Sequence, residues 1–160
     1  MHVFYRPEQV ADTQSISRSA IKPKLVVEDW QAQGFALTIH GLEPVHRDDF
    51  KLVHSDDFVD GVFNGTRCNG LNNADPAVAH SLPYTTGSMV AAARFAIEHK
   101  TIACSPTSGF HHAGPRAALG FCTFNGLMVT AMLLKQWGLA QRVAILDCDA
   151  HYGNGTDEII

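Results

Sequence analysis

The chain has 160 residues, 46% hydrophobic and 18% charged, which suits one buried core and a single domain over 1–160. A formal net charge of -4, with no basic run beyond the isolated Lys22-Pro23-Lys24, excludes a broad nucleic-acid-binding surface. The longest apolar stretch is too short to cross a bilayer, Met1 to Arg6 has no signal-peptide core, and Cys68, Cys104, Cys122 and Cys148 lack paired spacing, so a reduced, cytoplasmic protein with no membrane partner is expected.

Val3-Phe4-Tyr5 reads as a short strand and Asp12 to Ser19 as a polar lip. Lys24 to Gln33 carries Leu25, Val26, Val27 and Trp30 at near-helical spacing and stops at Gly34. Phe35 to Ile39 follows as a strand, and Arg47 to Asn64 is helical in part. Phe63 to Pro83, rich in Gly, Asn and Pro, is the longest predicted loop, and long loops in compact domains border sites. Thr86 to His99 predicts a buried small-residue helix, Thr101 to Ser105 a strand, and Asn125 to Trp137 an apolar helix closed by Gly138. Val143 to Asp149 reads as the next strand. This alternation predicts an α/β fold, a parallel sheet flanked by helices on both faces, with ligands gathered at the carboxyl ends of strands.

Two segments at those ends carry chemistry. In Asp147-Cys148-Asp149-Ala150-His151, a strand pleat would project Asp147, Asp149 and His151 from one face. Carboxylates with one imidazole form a mixed ligand set for zinc or a similar cation, and Gly153-Asn154-Gly155 lets backbone approach. The pentapeptide also admits a plainer reading, an acidic loop end with a solvated histidine. Upstream, Ser108-Gly109-Phe110-His111-His112-Ala113-Gly114-Pro115 places two imidazoles on one loop. Such a pair can serve as general base and electrostatic partner, oriented by groups such as Asp147 and Asn154; alternatively the two histidines are unrelated surface residues.

From Ser105 to Asp157 the sequence resembles the zinc-dependent histone deacetylase family, including its bacterial acetylpolyamine amidohydrolase branch. The resemblance rests on Gly109-Phe110-His111-His112-Ala113, on Gly120-Phe121-Cys122-Thr123-Phe124-Asn125, and on Val143 through Thr156, in that order. Leu52-Val53-His54-Ser55-Asp56-Asp57-Phe58 is a weaker match, and the first 45 residues carry little signature. The resemblance implies the arginase/deacetylase fold, incomplete at the carboxyl end. It implies that Asp149 and His151 are zinc ligands, that His112 is the base, and that His111 stabilises charge or shuttles a proton. Asp147 would support His111, and its backbone would help hold a structural potassium near Asp147, Asp149 and His151. Asn154 stands where some members carry an aspartate behind the second histidine, so it orients His112 with a neutral partner. Phe121, next to Gly120, matches an aromatic wall of the acyl-chain tunnel.

The implied reaction is zinc-dependent hydrolysis of an acetylated amine, acetyl-lysine or acetylpolyamine. Family members continue beyond the point matched by Thr156 to a third ligand, an aspartate, and a tyrosine that binds the oxyanion. Tyr5, Tyr84 and Tyr152 do not match that tyrosine, so these 160 residues are expected to be an inactive amino-terminal portion. Uncovered apolar surface would then favour homo-oligomers. Two alternatives stand beside this reading. One is a non-catalytic acyl-lysine-binding module. The other is a binuclear manganese hydrolase of the arginase type, which needs a further aspartate where Gly153 stands.

Overall fold

The computed structural model describes residues 1–12 and 17–160, so much of the expected lip at Asp12 to Ser19 lies outside the described residues. Its centre is a parallel sheet of three short strands, β1 (His2–Phe4), β2 (Thr38–His40) and β3 (Ala103–Cys104), in the order β2-β1-β3. Val3 pairs with Ile39 on one side and Cys104 on the other, and it is fully buried.

Among the described residues, five α-helices accompany the sheet: α1 (Lys22–Ala32), α2 (Asp56–Phe63), α3 (Pro76–His99), α4 (Gly126–Gln136) and α5 (Asn154–Ile159). A six-residue 3-10 turn at Arg47–Leu52 precedes α2. Gly34 and Gly138 end α1 and α4 at φ 79° and 69°, conformations that cost a side-chain-bearing residue energy.

The Gly-, Asn- and Pro-rich stretch is shorter as a loop than its composition predicts. Helix α3 begins at Pro76 and runs through Pro83 for 24 residues. Asp75 caps it by accepting from the Ala77 amide at 2.8 Å, and proline at the first helical position lacks only an amide hydrogen the helix would leave unpaired. Around Pro83, the Ser81 and Thr85 hydroxyls donate to the carbonyls of Val78 and Ser81 at 2.8 and 3.0 Å. The remaining loop, 64–75, still borders the later segments, because the Gly70 amide donates to Thr123 Oγ1 at 2.9 Å.

Packing centres on Phe124. Its ring lies 4.5 Å from Phe50, 5.4 Å from Phe58 and 5.2 Å from the His54 imidazole, and α2, α3 and α4 add Val59, Val62, Val78, Leu82, Val129 and Leu133. On the sheet side, buried Ser88 of α3 donates to Phe4 O and bonds Ser105 Oγ, both at 2.6 Å, which ties β1 to the chain leaving β3.

The strand expected over Val143 to Asp149 does not form. The segment pairs with no strand among the described residues, and Leu146 is 89% exposed. An apolar run becomes a strand only when a neighbour's edge accepts its hydrogen bonds. β3, two residues long, bonds only to β1, and Ile102 just before it is 82% exposed.

Burial in this core holds the His54 ring well below its ordinary value of 6.5, at about 4. The folded protein therefore carries His54 neutral while the unfolded chain protonates it below about 6.5. Stability is present above that pH and declines as pH falls towards 4, by about 3 kcal/mol across the window. Chemical denaturation of wild type and His54→Phe from pH 7 to 4.5 is expected to show an acid-sensitive component that the variant lacks; parallel profiles would contradict it.

Candidate active site

The chain leaving β3 delivers the tandem histidines. Gln9 Nε2 donates to Pro106 O at 3.0 Å inside the protein, and Phe110 is buried against Gly126, where an added Cβ would lie 2.5 Å from the Phe110 ring. His111 and His112 then emerge with ring centroids 4.1 Å apart.

Each imidazole is held through Nδ1. His111 Nδ1 lies 2.7 Å from Asp147 Oδ2, and His112 Nδ1 lies 2.7 Å from Asn154 Oδ1. Because both partners offer an acceptor oxygen, both rings carry their proton on Nδ1 when neutral and leave the Nε2 lone pair free.

Asp147, Asp149 and His151 do share one side, though not by the mechanism their spacing predicts. The Asp149 amide donates to Asp147 Oδ1 at 3.0 Å, and the His151 amide donates to Asp149 Oδ1 at 2.8 Å. Successive aspartate-to-backbone bonds two residues apart, rather than a strand pleat, fold the segment into stacked turns. The same amide bonds hold the Asp147 and Asp149 carboxyls below the usual carboxylate range, with the neighbouring imidazoles adding to the effect.

Asp149 Oδ1 and His151 Nδ1 converge to 3.0 Å. His111 Nε2 stands 4.0 Å from Asp149 Oδ1, and the His112 and His151 rings are 5.9 Å apart. Carboxylate oxygen and imidazole nitrogen, here bonded to each other, are the right donor types for zinc, but a catalytic site uses three protein ligands plus water. Among the described residues no group of three His, Cys, Asp or Glu side chains gathers as a metal set.

Gly120 and Phe121 form the tip of a tight turn. Leu119 and Cys122 exchange backbone hydrogen bonds at 3.0 and 2.8 Å, and both central residues have positive φ, 55° and 64°. Glycine is required at the first, because a Cβ there would lie 2.4 Å from His112 Cδ2. The left-handed backbone at Phe121 costs on the order of 1 kcal/mol and leaves its ring 46% exposed beside the histidines' loop.

Sequence reasoning missed how the loop is supported. Buried Asn125, at the cap of α4, donates through Nδ2 to Ala113 O at 3.3 Å and to Thr156 Oγ1 at 3.0 Å, while the Thr156 amide donates to His111 O at 3.0 Å. The available signal was Asn125 directly before a helical apolar run, a capping pattern.

The Histone deacetylase domain model matches residues 13–160. An uncharacterized protein of Picosynechococcus sp. is 38% identical over 112 residues, covering 66% of this chain and 37% of that protein. Acetoin utilization protein AcuC of Staphylococcus aureus (strain MRSA252) is 30% identical over 68% of this chain and 31% of its own length. Histone deacetylase 10, chloroplastic, of Oryza sativa subsp. japonica is 30% identical over 75% of this chain and 31% of its own. The crystal structure of the HDA15 HD domain superposes with a TM-score of 0.80 at 22% identity, over 99% of this chain and 50% of that one, which establishes the shared fold. The chain thus spans about a third of the length of these curated relatives. With the family model running from residue 13 through both histidine-bearing and aspartate-bearing segments, the chain belongs to the histone deacetylase domain family.

Proposed function

We propose that this chain supplies the base, its orienting groups and two zinc ligands of an amidohydrolase that removes acetyl groups from amines such as acetyl-lysine or acetylpolyamine. The observation that carries this reading is the convergence of the His111–Asp147 and His112–Asn154 pairs on Asp149 and His151. Asp149 and His151 would hold the zinc, which when bound acidifies water and polarises the amide carbonyl. A potassium near Asp147, Asp149 and His151 would steady the same turns.

His112, committed to Asn154 through Nδ1, offers Nε2 to the attacking water. It takes the water's proton as the new carbon–oxygen bond forms, then delivers that proton to the amine nitrogen as the carbon–nitrogen bond breaks. The products are acetate and a free amine, with His112 returned to its neutral form. His111, held by Asp147, lies alongside to stabilise charge. Phe121 walls the acyl chain's approach.

The third ligand and an oxyanion donor would come from outside residues 1–160. Tyr152, exposed beside Asp157, which raises its pKa, does not match the position of the family's tyrosine. A binuclear site is disfavoured because Gly153 stands where its extra aspartate belongs, and a Cβ there would already lie 3.0 Å from Asp147 Oδ2. The exposed run through Leu146 would favour self-association, and sedimentation showing a monomer at micromolar concentrations would count against that.

Acetate release from acetyl-lysine peptide and acetylpolyamine, before and after chelation, tests the reading. Residues 1–160 alone are expected to be inactive, and the full-length protein to lose activity on chelation and regain it with zinc. Activity surviving complete metal removal overturns the mechanism, and acyl-peptide binding without hydrolysis by the zinc-loaded full-length protein would favour the non-catalytic reading.

A further inference from the structure

Three consecutive carbonyls follow the tandem histidines, and each is gripped by a different donor. Asn125 Nδ2 donates to Ala113 O at 3.3 Å, His54 Nδ1 to Gly114 O at 2.8 Å, and the Ser55 amide to Pro115 O at 2.8 Å. His54 also accepts the Asn125 amide on Nε2 at 2.9 Å. A neutral imidazole has one donor and one acceptor, and here both are used. The ring is 3% exposed and packed against Phe58 and Phe124, so its orientation is fixed by the core.

We propose that His54 is a positioning residue for the tandem histidines, a rigid two-ended strut that sets where the His111-His112 loop sits relative to the cap of α4. The load path is continuous. His54 holds Gly114 directly, two residues after His112. It also holds the Asn125 backbone, whose side chain holds Ala113 and Thr156, and the Thr156 amide closes the ring on His111 O. His54 touches neither Asp147 nor Asn154 in this network, so it acts on the placement of the imidazoles rather than on their proton partners. A phenyl ring would fill the same space and leave both a carbonyl and an amide unpaired in the core, where neither can find water.

The kinetic part of this inference rests on the amide-hydrolysis reading; the geometric part does not. The test compares His54→Phe, His54→Asn and His54→Gln in two measurements. Nitrogen NMR of the imidazoles in this chain is expected to show one locked His112 tautomer in wild type and tautomer averaging in His54→Phe, with amide signals of β1 and α3 retained. Steady-state kinetics of the zinc-loaded full-length protein on acetyl-lysine peptide is expected to show kcat lowered about 10–100-fold by His54→Phe with KM little changed. His54→Asn keeps a donor where Nδ1 lies and is expected to restore the His112 tautomer and rate better than His54→Gln, which keeps contact only towards Asn125. That ordering decides the matter if His54→Phe does not fold. A locked His112 in His54→Phe with unchanged kcat, or His54→Gln outperforming His54→Asn, overturns the proposal. If wild type hydrolyses nothing, the deacetylase reading fails while the tautomer comparison still decides the positioning role.

Discussion

Replacing His112 with alanine is expected to lower kcat for acetyl-amide hydrolysis by about 10²–10⁴-fold, the usual contribution of a positioned general base. Bound zinc is expected to stay unchanged, because the proposed ligands Asp149 and His151 are bonded to each other rather than to His112. The companion variant Asn154→Asp separates orientation from charge. Asn154 Oδ1 lies 2.7 Å from His112 Nδ1, and a carboxylate there favours the charged imidazolium. The acid limb of the pH–rate profile is therefore expected to move to higher pH. Steady-state rates from pH 5 to 9, with metal content measured on the same samples, check both; His112→Ala turning over at the wild-type rate would remove His112 from the mechanism.

The second large effect is expected at Gly155. A Cβ there would lie 2.4 Å from Ala113 O and 2.5 Å from the carbonyl carbons of Ala113 and His112, all backbone atoms that cannot swing aside. Gly155→Ala must therefore push the histidine loop away from α5. A displacement near 1 Å at the reacting groups costs about 10²-fold in rate, and overpacking of this kind costs about 1–3 kcal/mol of stability. Gly114→Ala is the matched control. The atoms nearest its Cβ would be the end of the Glu158 side chain, at 2.6 Å from Oε2, which can rotate into solvent. Thermal melts and kcat for the two alanine variants are expected to diverge; equal behaviour would show that the loop tolerates movement.

Much of this arrangement was legible in the linear chain, for identifiable reasons. The helix from Asn125 to Trp137 carried its apolar run and its terminating Gly138, and α4 occupies Gly126–Gln136. The strand after Lys100 was a short apolar run before a Gly-bearing loop, and β3 forms inside it. Two readings did not hold. Proline-rich composition at Pro76 to Pro83 signalled loop, yet one proline starts the helix and the other sits within it, held by Ser81 and Thr85 back-bonds. The apolar run from Val143 to Leu146 signalled a strand through Asp149, yet pairing depends on an available edge, which no local pattern encodes.

The sequence alone determined the candidate donors, the carboxylates at 147 and 149 and the imidazoles at 111, 112 and 151, though not the backbone that arranges them. Side-chain chemistry and spacing of two are local properties, and local properties are written in the order of residues. The tertiary structure brings Asp147 to His111 across 36 positions and Asn154 to His112 across 42, pairings the family resemblance implied, and it alone decided that His54 braces their loop from 60 away. Those contacts depend on where the core around Phe124 brings separate segments together, and burial of distant apolar surfaces, not neighbouring residue identity, sets that meeting point.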